Sequence, residues 1–192
     1  MQKIIILSAF SFGILSCSNE KSSKVQIVSA NDTVINNAIN TDSNLHMFSI
    51  SLTSQSLTLR QWDSTIDLKQ ELGTPVSERT IKLDENSDTF SGSFEKKLIY
   101  DGLQLGLFSP RQNGKTFWVQ EIIITKPKYY TVNEITIGDS LAKVKKAYPS
   151  LKLFPGNTDN MFYVSNPNYE YSIEFEMENE KVKKIRLYYM MQ

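Results

Sequence analysis

Ile135-Thr136-Ile137-Gly138-Asp139-Ser140-Leu141-Ala142-Lys143-Val144-Lys145-Lys146-Ala147-Tyr148-Pro149 reads as a short strand, a Gly-Asp-Ser turn, a brief helix and a proline stop. Asp139 and Ser140 are residue types whose side-chain oxygens accept from the free N–H groups of a first helical turn. Leu141, Val144, Ala147 and Tyr148 then line one helical face, and Pro149 cannot continue the helix. A looser copy runs from Leu57 to Pro75. There Leu57-Thr58-Leu59 is the strand, Asp63-Ser64 the cap, Ile66, Leu68 and Leu72 the apolar stripe, and Gly73-Thr74-Pro75 the stop.

Around these two copies the chain reads mostly as strands. Residues 47–52 alternate loosely, and 76–83, 94–100 and 103–107 follow as strands with a polar loop over 84–93. Phe117-Trp118-Val119 and Ile122-Ile123-Ile124 are apolar on both faces, the mark of a central strand. Residues 129–132 and 135–137 read as short strands, then 151–154, 161–164, 170–177 and 182–189 as longer ones. The last two carry the firmest local argument. With Asn179-Glu180-Lys181 as a three-residue loop, Phe175 faces Ile185 and Ile173 faces Leu187, while Glu176 meets Lys184 and Glu174 meets Arg186. A slip of one residue sets Phe175 against Lys184, so both faces select this register. The glutamate row admits a reading as a cation site or a carboxylate pair; the lysine and arginine opposite it favour a solvated, salt-bridged face.

The halves align in element order. Asp63-Ser64 matches Asp139-Ser140, Leu68 matches Val144 and Leu72 matches Tyr148. Leu103, Leu105 and Leu107 match Tyr171, Ile173 and Phe175. The expected fold class is therefore α+β, with two tandem units, 47–127 and 128–192, each a short helix packed on an antiparallel sheet. A strand followed by Gly-Asp-Ser-Leu-x-x-Val-x-x-x-Tyr-Pro and an antiparallel sheet resembles units of the SmpA/BamE and beta-lactamase-inhibitor-like group. Ile135, Gly138, Val144 and Pro149 carry the likeness in the second half, Gly73 and Pro75 in the first. The second half lacks the group's glycine before its proline, and Trp62 stands where the first half should have a glycine. The resemblance implies secreted or envelope proteins that bind other proteins through a sheet face and carry no cofactor; fold likeness alone does not transfer function.

The N-terminus sets an expectation about place. Residues 1–16 have the anatomy of a signal peptide: Lys3, an apolar run from Ile4 to Leu15, then Ser16-Cys17. The run is short for a bilayer span. Ile14-Leu15-Ser16-Cys17 resembles the lipobox of bacterial lipoproteins, which implies cleavage before Cys17 and diacylation of its sulfur. Two or more acyl chains make a stable anchor at about 0.8 kcal/mol per buried methylene. Residues 17–46 are rich in Ser, Asn, Asp, Thr and Lys and read as a flexible tether. By resemblance to lipoprotein sorting, Ser18 after the cysteine favours the outer membrane of a Gram-negative envelope. Cys17 is the one cysteine of the chain, so acylation leaves no thiol and no disulfide for the folded part.

Little else in the sequence promises chemistry. The chain of 192 residues has 21 basic and 21 acidic residues, so no net field recruits nucleic acid. His46 is the one histidine and sits at the tether, which removes Ser-His-Asp, Cys-His and histidine-metal arrangements. Gly102-x-x-x-Gly106 lies in a strand pattern and is no phosphate loop. Tyrosines crowd the second half, and tyrosine presents contact area at low entropic cost. Tyr171 and Tyr189 fall on the core side of the last hairpin; Tyr130, Tyr163 and Tyr188 are left as candidate partner-binding residues, with no catalytic or metal-binding residue assigned. The expected function is a non-enzymatic, membrane-anchored lipoprotein that binds a protein partner. The alternative is a binder of a small ligand or cell-wall glycan between the two halves. Replacing Cys17 by Ala is expected to leave the chain unprocessed or released from membranes, read by fractionation and mobility; normal membrane retention of that variant would overturn the lipid anchor.

Overall fold

The structure, a computed structural model, describes residues 43–84, 89–110, 114–156, 160–168 and 170–191. Cys17 and nearly all of the 17–46 segment lie outside them.

Eleven strands and three short helices make up the described chain. After α1 (Ser43–His46), β1 (Ser49–Ser51) and β2 (Ser56–Thr58) form a hairpin, and β7 (Tyr130–Thr131) pairs with the other side of β1. These three strands are a small antiparallel sheet. The large sheet has eight strands. β3 (Ser77–Lys82), β4 (Phe94–Tyr100), β5 (Leu103–Ser109) and β6 (Trp118–Ile124) run in chain order from one edge. β8 (Lys152–Leu153), β9 (Met161–Ser165), β10 (Tyr171–Glu178) and β11 (Lys181–Tyr189) fill the rest in reverse, so that β6 pairs with β11. α2 (Leu68–Leu72) and α3 (Leu141–Ala147) are the remaining helices.

The expected class, α+β in two tandem units with a helix packed on each sheet, is corrected by this architecture. The molecule is mostly β. One continuous sheet draws strands from both halves, and the helices have four, five and seven residues. α2 buries no residue and α3 only Val144, so neither is the layer that the apolar stripes suggested. In the first half the stripe is not on one helix at all. Asp63–Thr65 is a turn of 3-10 helix, Ile66 is extended at φ −144°, and Asp67, not Asp63-Ser64, caps α2 by accepting from Gln70 N at 2.9 Å. Asp63 has a stronger claim on it: its Oδ1 accepts from Phe117 N, 54 residues away, at 3.0 Å. A cap assignment from spacing alone has no sight of such a competitor.

The opening stretch behaves as expected over its helix and differently before it. Ser140 Oγ accepts from Lys143 N at 3.2 Å, and Val144 and Tyr148 are fully buried. Residues 135–137, however, do not pair as a strand. Ile135 N donates to Thr131 Oγ1, and Thr136 N to Asp139 Oδ2 at 2.9 Å, so side chains satisfy main-chain donors that a ladder would otherwise take. The Gly138 turn then docks on the last hairpin: Gly138 N donates to Val182 O and Val182 N to Asp139 O, each at 2.8 Å.

The last hairpin keeps the expected pairs, Ile173 with Leu187, Glu174 with Arg186, Phe175 with Ile185 and Glu176 with Lys184. The loop that produces them is different. Glu178 faces Lys181, leaving a two-residue turn at Asn179 (φ 52°) and Glu180 (φ 59°). Both central residues are left-handed, as a type I′ turn requires. A bulge then takes up one residue of β11 at the step between Glu176 and Met177, so a two-residue turn plus a bulge reproduces the register of a three-residue loop.

The core lies between the large sheet and the elements on its apolar face. Ile122, Ile124, Ile173, Phe175, Ile185 and Leu187 are fully buried, and Phe48, Ile50, Leu57 and Ile135 close over them. Phe48 meets the Tyr171 ring at 5.8 Å and Tyr148 meets Phe175 at 5.2 Å. Tyr171 and Tyr189 share this side, as expected, with centroids 5.1 Å apart. The Tyr148 hydroxyl completes no hydrogen bond. Burial pushes its phenol up to about 12, with the nearby Thr131 and Asn133 side chains pulling the other way.

Two outcomes follow for stability. Glu180→Gly relieves a left-handed residue and is expected to raise unfolding free energy by about 0.5–1 kcal/mol in urea, after the greater freedom of glycine in the unfolded chain is subtracted; a loss of stability would contradict the turn assignment. For Tyr148, the unfolded phenol releases its proton near pH 10 while the folded one holds it to about 12. Between these values the folded state binds more protons, so stability falls as pH rises, by about 1.4 kcal/mol per unit for this group. Tyr148→Phe is expected to be neutral or slightly stabilising at pH 7 and to lack this share of the alkaline decline. Parallel curves for both proteins from pH 9 to 12 would refute it.

Candidate functional site

The two faces of the large sheet have different fates. The buried apolar residues of both halves converge on one face, where α3, α2 and the small sheet also lie: Val144 and Tyr148 pack into the core, Leu68 and Leu72 lie against it, and Ile50 and Leu57 are within it. The opposite face is tiled by half-buried polar and aromatic side chains. The ladder registers give its order. Across the strands, Arg79 faces Lys97, Lys97 faces Gly106, Gly106 faces Glu121, Glu121 faces Tyr188 and Tyr188 faces Ser172. The next row runs Ile99, Gln104, Ile123, Arg186, Glu174, Tyr163.

An ion-pair network binds the middle of this face. Arg186 Nε donates to Glu121 Oε1 at 2.6 Å, and its Nη1 lies 3.6 Å from Glu174. Lys184 pairs with Glu176 at 3.3 Å, and Lys183 with Glu176 and Glu178 at 3.5 and 3.1 Å. The glutamate row is thus the salt-bridged face that its cross-strand partners implied, with one member, Glu121, supplied by a distant strand. Burial works against the Arg186 charge, but Glu121 and Glu174 outweigh it and hold the guanidinium above its ordinary pKa. Tyr188 donates its hydroxyl to Glu174 at 2.9 Å, and the Arg186 guanidinium lies 4.4 Å from its ring centre. Burial, then the Glu174 charge, raise the Tyr188 phenol. These contacts lock the Tyr188 ring in place, so its exposed edge is presented at little further entropic cost.

Beside the network lies a cleft of about 670 Å³. Gly106 makes its floor, because a Cβ there would come 3.2 Å from the Glu121 Cβ. Arg79 and Lys97 form one wall, Tyr188 and Met190 the other. Residues from both halves of the chain therefore line one opening. Arg79 and Lys97 are directly opposed like charges with no ion pair among the described residues, an unfavourable arrangement for the isolated sheet.

Of the residues singled out from the sequence, Tyr163 and Tyr188 share this open face and flank Glu174. Tyr163 also meets Phe154 edge to face, with ring centroids 5.5 Å apart. Tyr130 does not join them: it is exposed, but it lies in β7 of the small sheet opposite Ser51. Cys17 lies outside the described residues. His46 is exposed at the end of α1, and among the described residues no three His, Cys, Asp or Glu side chains gather as a metal site. Gly106, Glu121, Arg79 and Lys97 join the site without a local sequence pattern that marks them as a group. The available signal was the glycine inside an otherwise apolar strand, which often marks a close approach or an opening on one face.

Compared with protein-family models, curated proteins and solved structures, the chain matches none.

Proposed function

We propose that this chain is a non-enzymatic, lipid-anchored envelope protein that binds a protein partner through the open face of its eight-stranded sheet. The anchor is the acylated Cys17, and the most fitting location is the outer membrane of a Gram-negative cell. The observation that carries the partner-binding half is the open face itself. It spans both halves of the chain, is pre-organised by the Glu121–Arg186–Glu174–Tyr188 network, and holds a cleft over Gly106. Tyr163 and Tyr188 supply amphipathic contact area there; Tyr130, on the other sheet, leaves the proposed surface. A fixed tyrosine beside a partly exposed arginine joins two residue types that often dominate interface energetics.

A second reading keeps the same face and changes the occupant. A cleft of about 670 Å³ is in the range that holds a small ligand or a short glycan, and tyrosine edges with carboxylate and amide neighbours suit hydroxyl-rich ligands.

One experiment separates them. The full-length chain is purified from its membranes after in-cell crosslinking, as wild type and as Gly106→Leu, which plugs the cleft floor while leaving the core face untouched. A protein recovered with the wild type and reduced about tenfold or more by the plug, a loss of at least 1.4 kcal/mol of binding, supports the first reading. Recovery of the same protein in equal amount with both chains would sink the sheet-face assignment. A defined glycan that binds the wild type, with no co-purifying protein, selects the second reading.

A further inference from the structure

The two edges of the large sheet are treated very differently. β8 has two residues and runs into Phe154 and Pro155 within two positions, a short edge closed by proline. β3 has six residues, Ser77-Glu78-Arg79-Thr80-Ile81-Lys82, every one of them exposed, with no proline and no bulge in its pairing with β4. Among the described residues nothing pairs with its other side. Apolar exposure gathers there as well: of the six large apolar residues exposed among the described residues, Val76 (78%), Ile81 (38%) and Ile99 (36%) lie on or beside this edge.

The direction of the free main-chain groups can be read from the ladder. Leu83 N donates to Ser93 O at 2.8 Å, in register with β3 and β4, so the odd-numbered residues of β3 turn their N–H and C=O toward β4. Glu78, Thr80 and Lys82 turn theirs away from the sheet. An added antiparallel strand must meet outward-turned residues with outward-turned residues. For a second copy related by a two-fold axis, the axis then passes through a residue and never between two.

Three placements of that axis keep the strands in overlap. Through Arg79, it sets Arg79 against its own copy. Through Ile81, it sets Glu78 against Asp84. Through Thr80, it overlaps Glu78 to Lys82 completely. Thr80 then faces Thr80, Glu78 faces Lys82 twice, and Arg79 lies over Ile81 twice, its methylenes covering the exposed isoleucine. Thr–Thr and opposite-charge pairs are favourable cross-strand neighbours, and like charges directly opposite are not. The sequence of this edge is thus complementary to itself in one register.

We propose that β3 pairs with β3 of a second copy about an axis through Thr80, joining two eight-stranded sheets edge to edge. The occupant is another copy of this chain because both charge pairs and the central threonine pair come from the same six residues. The pairing leaves the cleft face of each sheet open, so it is compatible with either occupant of that face.

The test is disulfide trapping in cells expressing the full-length chain, with the wild type, which carries only Cys17, as background. In the proposed register the Thr80 Cα atoms sit about 5.5 Å apart, within bridging range, while those of Arg79 are diagonal at about 7–8 Å, at or past the limit. Thr80→Cys is expected to give a dimer band on mild oxidation, and Arg79→Cys several-fold less. Adding Glu78→Lys to Thr80→Cys is expected to reduce the band about fivefold, and further adding Lys82→Glu to restore it. All four positions are exposed, so none of these changes needs the core to adjust; Glu78→Lys also breaks the Glu78–Lys96 pair at 3.6 Å within one chain, and because Lys82→Glu does not restore that pair, rescue reads the contact between copies. No band above background for Thr80→Cys, an equal band for Arg79→Cys, or no rescue by the charge swap would each overturn the proposal.

Discussion

The pairing of β6 with β11 is the constraint on which the rest depends. Ile124 faces Ile185 and Ile122 faces Leu187, all fully buried, and this ladder is the seam between strands from the two halves of the chain. Remove it and two four-stranded meanders remain, each with an apolar edge strand. Glu121 and Arg186 lie on the same seam, on the opposite face, at 2.6 Å. The seam therefore sets the core on one side and builds the candidate site on the other. The Arg186 pair is exposed enough that its own contribution to stability is small; its consequence is geometric, since it fixes the position of Tyr188 and one wall of the cleft.

Strands were legible where both faces of a segment carried independent information. In 171–189 the apolar residues select one face and the charges select the other, so the register survives even though the turn is two residues and not three. Helices were less legible because their signals were short. A cap and three apolar residues are enough to suggest a helix, yet Ile66 reaches the core from an extended segment and Asp63 serves a strand instead. The stretch at 135–149 shows both sides of this. Its helix forms where Ser140 caps it, while residues 135–137 give their main-chain donors to nearby side chains.

The site was barely legible. Tyr163 and Tyr188 lie on its face because strand alternation already placed them opposite the core. Gly106, Glu121 and Arg79 are local neighbours only in the folded sheet; Glu121 and Arg186 are 65 residues apart in the chain. Tyr130 has the same sequence signature as the other two but lies on the small sheet, because its strand pairs with β1. No local pattern distinguishes a strand that continues one sheet from one that begins another.

The order in which the chain is made gives the seam a temporal meaning. β6 is synthesised well before β11, and until Ile185 and Leu187 arrive its second edge has no partner. At about 5–20 residues per second, the interval between Ile124 and Ile185 is roughly 3–12 seconds. During that time the emerging first half exposes Ile122 and Ile124 on a strand with open hydrogen-bonding groups, an aggregation-prone state. The seam thus leaves the nascent first half with an unpaired apolar strand edge until β11 has been made.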